Sequence, residues 1–99
     1  MLCEGITSSH GEVVNISSGG VKLRRRGKAL ALGEEIDLEL KGAEVRATVR
    51  ARVMWARQTG FLGRSCEVGL SFVGLSEAQG RALTDVLREA MSFVSLSRA

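Results

Sequence analysis

A chain of 99 residues, 44% hydrophobic and 25% charged, has the usage of one globular domain and excludes a disordered segment. Fourteen basic against eleven acidic residues give a formal charge of +3, mildly favourable to an anionic partner. No apolar run approaches the roughly 18 residues of a membrane helix, and the N-terminal residues lack the form of a secretory signal.

Cys3, Cys66 and His10 are too few and too scattered for a disulfide framework, a metal centre or a triad. The expectation is a single cytoplasmic domain over residues 1–99, with no metal, no cofactor and no membrane span.

In chain order, Val14 and Ile16 mark a first short strand. Val21–Arg26 marks a second, across a Ser18-Gly19-Gly20 turn. Ile36, Leu38 and Leu40 then share one face of a strand whose other face carries Glu35, Asp37, Glu39 and Lys41. From Val45 to Trp55 every odd position is apolar, which predicts a long half-buried strand because successive side chains leave opposite faces. Trp55 is expected in the core at its end, bordering a pocket where its N–H needs a partner.

A type II′ turn at Gly42-Ala43 joins these two strands and pairs Glu39 with Arg46, Glu35 with Arg50, Lys41 with Glu44 and Ile36 with Val49. A turn at Lys41-Gly42 keeps the faces but sets Glu39 against Glu44, which repels. Gln58–Gly63 reads as a loop. Cys66, Val68, Leu70 and Phe72 then alternate with Glu67, Gly69 and Ser71 as another strand.

The last segment changes period. Ser76 and Gln79 form a capping box, and Leu83, Val86, Leu87, Ala90 and Val94 follow helical spacing. The reading is an all-β domain of five or six antiparallel strands over about 11–73, closed by a helix over about 76–94. Such strands must hide their edges, which favours a small barrel. The apolar Met91–Leu96 stretch packs on the barrel mouth or docks another chain; the sequence does not choose.

Asn15 and Ser17, two apart on an extended segment, present an amide and a hydroxyl on one face, and Gly19-Gly20 lets the main chain turn and be approached closely. The competing reading is a turn in which both side chains bond local backbone. Lys22, Arg24 and Arg26 share one strand face, as a solvated surface or as an anion cradle. Arg46 and Arg50 are assigned to cross-strand salt bridges. Trp55 and Phe72 fall on apolar faces, which leaves few stacking platforms and argues against nucleic acid. His10 is expected in an exposed loop. No acid–base pair, Cys-His pair or P-loop suggests an enzyme.

The stretch VVNISSGGVKL resembles the [D/N]-x-S-x-x-G signature of the PilZ domain family, through Asn15, Ser17 and Gly20. The charged hairpin over residues 34 to 53, Val53-Met54-Trp55, the Glu67–Phe72 strand and the helix from Ser76 extend the likeness over about residues 11 to 91. The resemblance implies a six-stranded barrel and a receptor for the bacterial second messenger cyclic di-GMP. It places Asn15, Ser17 and Gly20 against a guanine and its phosphodiester. In the family an RxxxR pair before the motif wraps the ligand; here residues 1–14 contain no Arg or Lys.

Two functions follow as expectations. One is a non-enzymatic cyclic di-GMP receptor using Asn15, Ser17 and Gly20, with Lys22, Arg24 and Arg26 as further candidates. The alternative is a degenerate PilZ-like protein-interaction module that does not bind the nucleotide. A protein partner is expected in either case.

Overall fold

A computed structural model describes residues 6–27, 30–60 and 64–98, with side chains through Ala90. Its elements are β1 (Thr7–Ser8), β2 (Gly11–Ile16), β3 (Gly20–Arg26), β4 (Glu35–Lys41), β5 (Arg46–Thr59), β6 (Ser65–Phe72) and α1 (Glu77–Arg98). The strands close in the order β1-β2-β3-β6-β5-β4, all neighbours antiparallel, so no sheet edge is left open. The all-β barrel with a C-terminal helix is the expected architecture.

Alternation builds the core. Leu23, Leu38, Val49, Val53 and Val68 are almost fully buried inside the barrel while their chain neighbours face outward. Each such side chain contributes about 1.5–3 kcal/mol of burial. α1 begins as the capping box requires: Gln79 N–H donates to Ser76 Oγ at 3.1 Å, and Ser76 N–H to Gln79 Oε1 at 2.9 Å. Its Leu83, Val86 and Ala90 cover the barrel core, and Gln79 Nε2 donates to the Thr48 carbonyl of β5 at 3.1 Å. The expected roles of Val94 and of Met91–Leu96 lie outside the described side chains.

The β4–β5 hairpin differs from the expected register by two residues. Glu35 pairs with Arg52, Ile36 with Ala51, Asp37 with Arg50, Leu38 with Val49 and Lys41 with Arg46. Residues 42–45 form the connection instead of a Gly42-Ala43 turn, closed by Gly42 N–H to the Val45 carbonyl at 2.7 Å. The wider loop exposes two amides that α1 satisfies, since Ala43 N–H and Glu44 N–H donate to Glu89 Oε1 at 2.6 and 3.3 Å. It also sets Arg50 beside Asp37 at 3.1 Å and Glu35 at 3.4 Å, and Arg52 beside Glu35 at 2.8 Å. Arg46 thereby faces Lys41 and not Glu39. The shift is an even number of residues, so the buried face is unchanged.

Two further departures are β-bulges. Val13 pairs with Leu23 but Asn15 with Lys22, which leaves Val14 as an extra residue; Val13 and Ile16, not Val14 and Ile16, are the buried pair. In β5, Val53 pairs with Leu70 but Trp55 with Gly69, so Met54 is the extra residue. The alternation flips there, and Trp55, expected in the core, lies on the outer surface 41% exposed. β5 continues to Thr59, through part of the expected Gln58–Gly63 loop; Gly60 follows the strand with a positive φ of 77°, and residues 61–63 lie outside the described residues. β1 is a two-residue strand that the sequence reading did not include.

Candidate ligand-binding site

The two bulges bring four residues into one row across the outer face. Asn15 of β2 pairs with Lys22 of β3, Lys22 with Gly69 of β6, and Gly69 with Trp55 of β5. At strand spacing the row runs about 14 Å along the sheet. It forms the floor of an open depression of about 390 Å³ that also includes Ser17, Gly20 and Met54. Asn15, Ser17, Gly20 and Lys22, all candidates from the sequence, therefore converge on one surface. Lys22 is the one cation among its described lining residues.

The bare glycines shape this floor differently. A β-carbon on Gly69 would fall 2.0 Å from Trp55 Nε1, so the indole lies directly over that residue. At Gly20 a β-carbon would fall 2.3 Å from the Leu70 carbonyl, so the bare position is first demanded by the neighbouring strand. Ser17 holds the turn: its N–H donates to the Gly20 carbonyl at 2.9 Å, and its hydroxyl accepts from Gly19 N–H at 3.3 Å. That hydroxyl is exposed and retains a second lone pair for an outside donor.

Beside this row runs a charged one. Glu12 pairs with Arg24, Arg24 with Glu67, and Glu67 with Arg57, so charges alternate across four strands. Glu67 is only 6% exposed and accepts from Arg57, with Arg24 Nη2 at 3.4 Å and Lys22 Nζ at 3.7 Å. The Arg57 hydrogen bond foremost, aided by the charges of Lys22 and Arg57, holds its carboxyl below the usual range against the desolvation that would raise it.

Arg24 and Arg26 do not line this depression. They line a second cleft with Arg25, Ser65 and the β1–β2 turn. His10, expected to be exposed, is half-buried in that turn, and its carbonyl accepts from Arg25 Nη1 at 2.5 Å.

The model of the PilZ domain matches residues 2–89. The chain belongs to the PilZ family. No match to a curated protein accompanies it. PilZ domains are binding and adaptor modules of the cyclic di-GMP receptor type, and the depression on this one includes Asn15, Ser17 and Gly20.

Met54 and Gly69 are lining residues that sequence reasoning missed, and Trp55, expected to border a pocket, does so from the outer face and not from the core. Signals were present. Val13-Val14 and Val53-Met54-Trp55 are apolar runs that break strict alternation, and a lone glycine within an apolar strand marks a bulge or a close approach. Among the described residues no helix is long and apolar enough to cross a membrane.

Proposed function

We propose that this PilZ domain is a non-enzymatic receptor that binds cyclic di-GMP on the Asn15–Lys22–Gly69–Trp55 row. The observation that carries the reading is that row: an amide, a cation and an indole in line, spaced for a molecule with two planar bases on a compact phosphodiester core. Asn15 hydrogen-bonds a guanine edge, Lys22 meets phosphate, and the outer face of Trp55 stacks on a base. Ser17 accepts through the remaining lone pair of its hydroxyl, whose proton goes to the Gly20 carbonyl at 3.5 Å.

Affinity is expected to be modest. Lys22 is the one cation among the described lining residues, and each bidentate arginine contact that a site lacks removes about 1–3 kcal/mol. Calorimetry with cyclic di-GMP at high micromolar protein tests the proposal. Saturable heat is expected, weakened about fivefold or more by Asn15→Ala. No heat, or identical heat from wild type, Asn15→Ala and Ser17→Ala, rejects it.

A second reading, an adaptor that works without the nucleotide, is favoured by the Ser17 hydroxyl being turned into its own loop. Recovery of the same protein partners with and without cyclic di-GMP supports that reading.

A further inference from the structure

The one cation among the pocket's described lining residues is not turned wholly toward it. Lys22 Nζ lies 3.7 Å from Glu67 Oε1, its side chain 35% exposed, and the same carboxylate is gripped by Arg57 and by Arg24. Glu67 sits two residues before Gly69 on β6, so its charged row borders the row proposed to hold the ligand. A phosphodiester reaching Lys22 therefore meets a carboxylate already paired with it. Arg24 is shared further with Glu12 at 3.6 Å, so that cation is also committed.

We propose that Glu67 is a positioning residue that opposes the ligand: a resident counter-ion that draws Lys22 back and sets how weakly the pocket takes an anion. The idea rests on the reading that cyclic di-GMP occupies the Asn15–Trp55 row. Binding in this scheme exchanges one partner of Lys22 for another, and Glu67 stays ion-paired through Arg57 and Arg24. Like-charge repulsion between the carboxylate and a phosphate some 6–8 Å away, together with the pull on Lys22, is worth about fivefold in affinity at a surface dielectric.

The test is calorimetry of cyclic di-GMP binding to wild type, Glu67→Gln, Lys22→Gln and the double variant, with circular dichroism to show that each is folded. Glu67→Gln is expected to bind about fivefold more tightly, and in the Lys22→Gln background the gain is expected to shrink to the smaller part that direct repulsion supplies. Should Glu67→Gln not fold, Glu67→Asp, which draws the carboxylate back by one methylene, is read in its place and expected to gain about twofold. Equal or weaker binding by the variant read, beside measurable wild-type binding, overturns the role of Glu67 and leaves the receptor reading standing. A gain undiminished without Lys22 also overturns it. No binding by any of these proteins at millimolar nucleotide rejects the receptor reading, and this proposal with it.

Discussion

The indole of Trp55 occupies the space that a side chain on residue 69 would need, with Nε1 2.0 Å from where a β-carbon would lie. The glycine is thus the seat of an aromatic platform placed on the surface by the bulge at Met54. Gly69→Ala is expected to swing the indole aside, because Trp55 is 41% exposed. Its cost to stability should stay below about 1.5 kcal/mol, while cyclic di-GMP binding falls about fivefold or more through loss of the stack. Thermal melts and calorimetry on the same sample check both; a large stability loss with unchanged binding contradicts the platform.

Gly19 and Gly20 are neighbours with different duties. Nothing lies within 4 Å of a β-carbon at Gly19, whereas one at Gly20 meets the Leu70 main chain at 2.3 Å. Gly20→Ala is expected to destabilise the domain by about 2 kcal/mol, lowering Tm by roughly 8–15 °C. Gly19→Ala is expected to stay within about 0.5 kcal/mol of wild type by the same melts.

How far the sequence carries is visible in three places. Period-2 alternation located the core faces of β4, β5 and β6, because burial on one side imposes it. The hairpin register was not legible locally: the amides of Ala43 and Glu44 are satisfied by Glu89, some 45 residues away in α1. The site was half legible. Asn15, Ser17 and Gly20 form a compact motif, but Trp55 reaches the same surface only through a bulge that inverts the face of its strand. β1 escapes notice because two residues are too few to show a period.

That Glu89 contact makes a latch between helix and barrel. Glu89→Ala removes the acceptor for two loop amides and is expected to cost about 1–2 kcal/mol, with amide exchange at Ala43 and Glu44 rising together. Unchanged exchange at those two positions contradicts the latch.

Acid should act through Glu67 and Glu35. Both carboxyls are held below their ordinary 4.5, Glu67 chiefly by its hydrogen bond from Arg57 and Glu35 by that from Arg52. The unfolded chain therefore takes up these protons first. The stabilisation is complete above the ordinary value and is lost as pH falls through the depressed folded values. Urea midpoints measured between pH 7 and pH 3 are expected to fall below about pH 4.5, less steeply for Glu67→Gln than for wild type. Parallel curves contradict the assignment to Glu67.

Trp55 is the chain's one tryptophan, so its fluorescence reports on the proposed platform without a label. Titration of the wild-type protein with cyclic di-GMP is expected to give saturable quenching as a guanine covers the indole, shifted to higher concentration by Asn15→Ala. Emission that does not change, or that falls alike in both proteins, contradicts the claim that the row from Asn15 to Trp55 binds the nucleotide.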